Sequence, residues 1–390
     1  MIKRAILLTL LGTTTSLMAL GAEHAYLYKD PRIMGMGGAN IAVGAYSTSI
    51  FSNPAGLASI KEENGYVVDL LGIGISASSG IQNFTNDLND AGDNTVQIQA
   101  VIEKYSGDAF HFDAGNYTSF SSNSDGVALS IGLLAASDVN FIVHGNGSAN
   151  GAALELAGRA YGGIVIGGAT RLKMPTGSLD LGLGVKYITQ KSYEGPIYLT
   201  DLQQNDVAKT FQDKYEKSAS GIGVDLGLVY KPFEKGEFGN PSFGLSVLNL
   251  GSMGMNDNYG GQPMSVNIGA ALSPDVSFID RFTIAIDYVD LLNANKVRTY
   301  TYAGPLVAHK DYVEADPMKR LRMGVTVGLI DSTYFSTALS AGIYNSAYTA
   351  GLDMEVLIFK LNITTYEEQM GTGSVDIPDR RYMAKIGIGW

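Results

Sequence analysis

The chain has 390 residues, of which 48 are Gly, 22 are Tyr and none is Cys, and 17% are charged, against about 7% Gly and 25% charge in ordinary domains. The absence of Cys excludes disulfides, thiolate metal sites and Cys nucleophiles, and a net charge of −11 argues against a nucleic-acid partner, which needs a basic face. An apolar content of 45% excludes a mainly disordered chain.

At the N-terminus, Lys3 and Arg4 precede a short apolar run at 5–11, and Ala19-Leu20-Gly21 offers the small residues that a signal peptidase reads. Residues 1–22 are therefore expected to be a cleaved signal peptide. The apolar run is far shorter than the ~20 residues a membrane helix needs. Export without Cys fits a bacterial cell envelope, and no Cys follows the cleavage site to carry a lipid anchor. Later apolar stretches, such as 127–136 and 356–359, are short and interrupted. A membrane form would have to be a β-barrel, the other arrangement that satisfies every backbone amide in lipid.

Residues 30–60 do not alternate. They carry the run Met34-Gly35-Met36-Gly37-Gly38-Ala39 and then Ser52-Asn53-Pro54-Ala55-Gly56-Leu57-Ala58. Glycines at 35, 37 and 38 allow close packing or positive φ. Pro54 fixes its own φ and restricts Asn53, whose amide can satisfy neighbouring backbone groups. Such a segment suits a plug in a confined lumen, although Asn-Pro and Gly-Gly are also ordinary turn signals.

From residue 66 onward the chain alternates with a period of two, the mark of strands with two different faces. In 179–188, Leu179, Leu181, Leu183, Val185 and Tyr187 oppose Asp180, Gly182, Gly184 and Lys186. In 221–231, Ile222, Val224, Leu226, Leu228 and Tyr230 oppose Gly221, Gly223, Asp225, Gly227 and Lys231. The pattern recurs in 320–329 and 348–356, and the chain ends on Tyr382, Ala384, Ile386, Ile388 and Trp390. A soluble sandwich would bury the apolar face and expose the charged one. Two features favour an inside-out barrel: the polar faces hold many Gly, as a curved inner wall would, and the aromatics gather at strand ends, as an interfacial girdle would.

Fourteen such segments are expected: 66–78, 109–119, 126–137, 157–172, 179–190, 221–231, 241–250, 264–273, 281–290, 319–330, 335–344, 347–357, 361–369 and 381–390. An even count is what bacterial single-chain barrels require. With the last strand ending in the periplasm, the short connections 120–125, 173–178, 232–240, 274–280, 331–334 and 358–360 all fall on that side. The longer ones, 79–108, 138–156, 191–220, 251–263, 291–318 and 370–380, fall outside, with one tight exception near Asn345-Ser346. Spacing within 96–105 and 207–217 is helical and predicts small loop helices.

The runs at Met34–Gly35–Met36–Gly37–Gly38–Ala39 and Asn53–Pro54–Ala55–Gly56 resemble the N-terminal hatch of the FadL superfamily of outer-membrane transporters of hydrophobic compounds. PorV-like proteins and exported proteins labelled as TraF-type conjugal-transfer proteins share that layout. Residues 221–232, Asn249-Leu250-Gly251 and Ile286-Asp287-Tyr288-Val289-Asp290 are similar to the TraF-type set. The resemblance spans nearly the whole mature chain, with its sharp motifs in 32–58. It implies a signal peptide at 1–22, a hatch at 23–62 and an all-β transmembrane antiparallel barrel of about 14 strands at 63–390.

Catalytic motifs are missing. His24, His111, His144 and His309 are scattered, with no pair at zinc spacing. The Gly-x-Gly pieces at 35–37, 72–74, 182–184 and 221–223 lack the third glycine and the following helix of a dinucleotide loop, and neither Gly-x-x-x-x-Gly-Lys nor Gly-x-Ser-x-Gly occurs. Acid pairs such as Asp353/Glu355 and Glu367/Glu368 read as lumen or loop charges. No enzyme activity, cofactor or metal is expected.

The resemblance implies passage of small hydrophobic or amphipathic, fatty-acid-like compounds through the outer membrane of a Gram-negative bacterium. In that reading the hatch residues Met34, Gly35, Met36, Gly37, Gly38, Ala39, Asn53, Pro54, Ala55 and Gly56 gate the passage, and loops 191–220 and 291–318 select the ligand. Lumen charges Asp180, Lys186, Asp225, Lys231, Asp287, Arg320, Arg322, Asp353, Glu355 and Lys385 would pair to hold the plug. Tyr382, Ile386, Ile388 and Trp390 form the terminal signal that barrel-assembly machinery reads. Expected partners are outer-membrane lipid, that machinery and a hydrophobic small molecule. The alternative is a non-transporting scaffold that docks protein partners, as PorV-like or TraF-like proteins do.

Overall fold

The computed structural model describes residues 26–60, 65–92, 94–145, 152–202, 207–233, 235–277, 279–303, 306–313, 316–370 and 377–390. The expected signal peptide lies outside the described residues, as do 23–25 and 61–62 of the expected hatch.

The strands are β1 (Tyr66–Ser78), β2 (Ala109–Ser124), β3 (Val127–Val143), β4 (Ala152–Lys173), β5 (Ser178–Tyr198), β6 (Lys217–Lys231), β7 (Ser242–Gly251), β8 (Ser265–Leu272), β9 (Arg281–Tyr288), β10 (Lys296–Ala303), β11 (Leu306–Val313), β12 (Leu321–Asp331), β13 (Phe335–Tyr344), β14 (Ala347–Val356), β15 (Phe359–Gln369) and β16 (Pro378–Gly389). All but β10 and β11 form one closed antiparallel barrel of 14 strands, and those two pair with each other as a hairpin between β9 and β12. β1 meets β16 from Asp69↔Gly389 to Ser78↔Arg381, so the wall closes on itself and leaves no open edge.

Alternation places the apolar set outside. Leu129, Ile131 and Leu133 on β3, Leu181, Leu183 and Val185 on β5, and Ile284 and Ile286 on β9 are all exposed, while their neighbours Ser130, Lys186 and Asp287 are buried. Exposed tyrosines stand towards both ends of the wall: Tyr66, Tyr230 and Tyr334 at one, Tyr187, Tyr348 and Tyr382 at the other. This is the reverse of a soluble sandwich, in which the apolar face would be interior.

Each of the 14 expected segments is a barrel strand, but several strands run longer than expected. β2 and β3 extend to a two-residue turn at Asp125 and Gly126, both with positive φ, as a tight hairpin requires. Residues 120–124 fall in the expected connection 120–125 because, Phe120 apart, they are Ser and Asn. Here Ser121 and Asn123 face a filled lumen, where Ser121 bonds Ser130 at 2.8 Å and Asn123 donates to the Ile60 carbonyl at 2.8 Å. β4 and β5 also overrun their expected ends, because loop helices pack against their extensions. Those helices are α2 (Ile81–Ala91), α3 (Thr95–Lys104), α4 (Leu199–Leu202) and α5 (Val207–Tyr215), after the earlier α1 (Pro31–Gly35). Helical spacing anticipates α3 and α5; α2 and the β10–β11 hairpin lie within the connections 79–108 and 291–318, where the sequence pattern announces no element.

The N-terminal segment lies inside the barrel. It bonds to strands on every side of the ring: Tyr161 on β4 donates to the Leu27 carbonyl at 3.0 Å, and Asn53 donates to the Leu228 carbonyl of β6 at 3.1 Å. Across the lumen, Thr349 on β14 donates to the Gly35 carbonyl at 2.8 Å and Thr364 on β15 to the Pro31 carbonyl at 2.7 Å. Local chemistry shapes it: Asp30 caps α1 and Asn53 caps the 3-10 turn Pro54–Ser59, each with Pro immediately following.

Candidate functional site: the filled lumen and its roof

All ten expected gating residues are buried or nearly so within this segment. Met34 packs with Tyr344, Tyr366 and Met383, and Met36 and Ala39 pack with Ala42, Ala271 and Ala285. Gly37 has φ +67°, and a Cβ there would run into the carbonyl oxygens of Met323 and Ile343. Asn53 uses its whole amide: Oδ1 accepts the Ala55 N–H at 3.1 Å, and Nδ2 donates to Ile41 at 2.6 Å as well as to the wall. That contact needs Gly227 on β6, where a Cβ would collide with Asn53 Oδ1.

The expected lumen charges divide into three groups. Some hold the segment. Asp287 accepts the Asn40 and Ile41 N–H groups on one oxygen, at 2.6 and 2.8 Å. Lys231 donates to Ser59 at 2.8 Å and to Asp180 at 3.1 Å, and Lys385 lies 3.9 Å from Asp30. Others brace the wall itself. Lys186 and Asp225 pair at 2.8 Å, fully buried, with Asn249 completing the group, and Asp353 accepts from Asn362 at 3.2 Å. The rest stand near the ends: Arg320 precedes β12, Arg322 lies over the Tyr344 ring at 3.8 Å, and half-buried Glu355 sits opposite Lys360 in the ladder. The terminal residues Tyr382, Ile386 and Trp390 point outward and exposed, on the same face as Ile388.

Sequence reasoning missed several partners. Arg171 makes a bidentate pair with Asp180 at 2.7 and 2.8 Å and also donates to Ser59 at 3.1 Å. The signal was available, since Arg171 lies directly opposite Asp180 in the β4–β5 register. Asp30 was also missed; it holds Arg32 at 2.7 Å and accepts from Thr48 at 2.7 Å. Burial pushes the Asp30 carboxyl upward, but the Arg32 guanidinium, Lys385 and these hydrogen bonds outweigh it and hold it well below the ordinary carboxylate range. Lys29 similarly reaches Glu368 and Tyr344 on the wall.

Above the segment, the loops build an apolar roof. Phe84 of α2, Ile102 of α3 and Phe211 of α5 pack with Phe110, Leu156 and Tyr193 of the extended strands. Beneath it is a polar layer on β2, β3, β4 and β16. Arg159 donates to Asp138 at 2.6 Å, His111 lies between Asn140 and Asp113 at 2.6 and 2.8 Å, and Arg381 donates to Asp379 at 2.6 Å and Asn140 at 2.9 Å. Between this layer and residues Tyr26–Lys29 lies a cavity of about 80 Å³. A larger groove, about 1030 Å³, is lined by small residues of β2 to β6 such as Ala135, Ala160, Gly162 and Ser220, with Ile73 and Tyr187 among its margins. Cavity and groove share Ala114, Gly115, Ala136, Ser137 and Tyr161 in their linings. Among the described residues no cluster of His, Cys, Asp or Glu is arranged to hold a metal ion.

This geometry has known counterparts. The deltaS2S3 mutant of the TodX monoaromatic hydrocarbon channel is 11% identical, with 95% of this chain and 98% of that one covered at a TM-score of 0.52. The Ralstonia pickettii toluene transporter TbuX is 13% identical over 93% of this chain and 97% of that one, with the same TM-score of 0.52. This chain has the fold of those channels. At such identities the likeness concerns the fold. No family model matches the sequence, and no curated protein matches it.

Proposed function

We propose that the protein sits in the outer membrane and passes small hydrophobic or amphipathic compounds, fatty-acid-like molecules among them, with the N-terminal segment as its gate. The observation that carries this reading is the stacking of an apolar roof, a small lumen cavity and a latched internal segment inside a wall whose apolar face points outward. Exposed apolar side chains all round a closed barrel are stable in lipid and not in water. The fold likeness to channels for toluene and other monoaromatic hydrocarbons supports the same class of cargo.

In this reading the roof collects the ligand and the lumen cavity receives it. Release then needs the segment to shift, or the wall between cavity and groove to part sideways. The burial of the segment among the barrel strands supports its role as the gate. The same dense bonding also favours the scaffold reading, in which the barrel never opens and serves as a dock for protein partners.

An Asn53→Ala variant separates the two. It removes the segment's bonds to Ile41 and Leu228 without touching the strand ladder. The gate reading expects normal recovery in the outer-membrane fraction, heat-modifiable gel mobility and an uptake rate for a hydrophobic probe changed at least several-fold. Unchanged uptake in an assembled variant refutes gating, and a protein partner retained through purification supports the scaffold.

A further inference from the structure

We propose that the cavity between the N-terminal segment and β3 is a subsite for a neutral hydroxyl-bearing ligand, a phenol or related aromatic alcohol held by its O–H end; this rests on the passage reading and narrows its cargo. The walls are of two kinds. Leu27, Ala136 and Met383 and the rings of Tyr28, Tyr161 and Tyr366 line it with apolar surface. Asp138 and Asn140, two positions apart on β3, bring polar atoms to the same face, with Cα atoms about 6.6 Å apart. A largely apolar pocket with a few placed polar groups is the usual make-up of a small-molecule site.

Each of the two polar residues keeps one group unspent. Asn140 is fully buried, and its Oδ1 accepts from Arg381 at 2.9 Å. A guanidinium can only donate, so this contact fixes the amide's orientation. The Nδ2 atom has no partner among the described residues. Asp138 takes the Arg159 Nε–H on Oδ2 at 2.6 Å, and its Oδ1 is likewise buried without a partner. A buried polar atom left unpaired is unfavourable, so the cavity is complete only when something supplies both an acceptor and a donor. A hydroxyl does both.

Hydrogen bonding selects against other head groups. A carboxylate cannot donate to the unpaired Asp138 oxygen, and an ammonium cannot accept from Asn140 and would face Arg159, Arg381 and Lys29, all on the lining. Size sets the mode of binding. About 80 Å³ is roughly half the dry cavity that admits benzene, so the cavity takes the hydroxyl end while the rest of the molecule lies outside it. Selection here acts by hydrogen bonding, which discriminates against an analogue lacking the O–H far better than an apolar pocket discriminates by shape.

The test compares phenol with toluene, which exchanges O–H for CH₃ at nearly constant size, by saturation-transfer NMR on the full mature barrel in lipid nanodiscs. The expected result is that phenol binds about tenfold more tightly than toluene. An Asn140→Asp variant keeps an oxygen for Arg381 but replaces the unused N–H₂, and is expected to lower phenol affinity about tenfold while leaving toluene unchanged. Equal binding of phenol and toluene overturns the proposal, as does a high-resolution structure in phenol with only water in the cavity. The wild-type comparison decides the matter even if the variant fails to assemble. Selective phenol binding without uptake into vesicles would refute passage and leave this site standing; uptake without phenol preference would refute the site alone.

Discussion

Asp287 offers a direct test of how the segment is held. One oxygen of this buried side chain accepts two backbone N–H groups, from Asn40 at 2.6 Å and Ile41 at 2.8 Å. Replacing it with Ala strands both donors, each at about 1–3 kcal/mol. Relief of the buried carboxylate's own desolvation offsets part of that, leaving about 3 kcal/mol against the seated state. At 1.4 kcal/mol per decade, the unseated population rises by about a hundredfold. The chain has no Cys, so a single Ala42→Cys substitution supplies a clean reporter at a buried position beside the latch. The expected outcome is a maleimide labelling rate raised about a hundredfold by Asp287→Ala and by less with Asp287→Asn, which keeps one acceptor oxygen. An unchanged rate, in a variant that retains heat-modifiable mobility, refutes the latch.

Two further predictions concern the polar lumen. Lys186→Met leaves the Asp225 carboxylate buried and unpaired, and should cost about 3–5 kcal/mol in urea unfolding followed by Trp390 fluorescence, while the Lys186→Met, Asp225→Leu double variant costs less. Because the Asp30 carboxyl is held below the ordinary range in the folded state, its contribution is fully present above about pH 4 and declines as the pH falls below that value. Labelling at Ala42→Cys, expressed relative to a free thiol at the same pH to remove the fall in thiolate, should therefore quicken in acid, and Asp30→Asn should flatten the part of that rise that Asp30 causes; a profile that Asp30→Asn leaves unaltered would refute the assignment.

The wall was legible because period-two alternation is a covalent property of strands, and β5 and β6 show it without interruption at Leu181, Leu183, Val185 and at Ile222, Val224, Leu226. Strand ends were not. Ser121 and Asn123 look like a turn until a filled lumen supplies their partners, and residues 152–156 of β4 outrun the lipid-facing pattern because the loop helices cover them. The site was half legible. The charged positions Asp180 and Asp287 were visible on the polar face of the alternation, but their roles depend on what stands opposite. For Asp180 that partner is Arg171, one strand away and readable from register. For Asp287 it is a backbone segment some 250 residues distant, which no local pattern announces.

If the segment is the gate proposed above, these contacts also bear on what has to move. The wall is a closed ladder of 14 strands, and parting any pair exposes unpaired amides to lipid at several kcal/mol each. The segment is held instead by separate latches: Asp287 at residues 40 and 41, Arg171 and Lys231 at Ser59, and Lys385 near Asp30. Each involves only a bond or two, so the segment is the softer element. A ligand opens it only if it binds the unseated state better than the seated one. The cavity meets that requirement by position, because Leu27 to Lys29 and Pro31 line it while Asp30, within the same stretch, is latched from behind. A molecule growing past the hydroxyl subsite would press on that stretch and work against the Asp30 latch first.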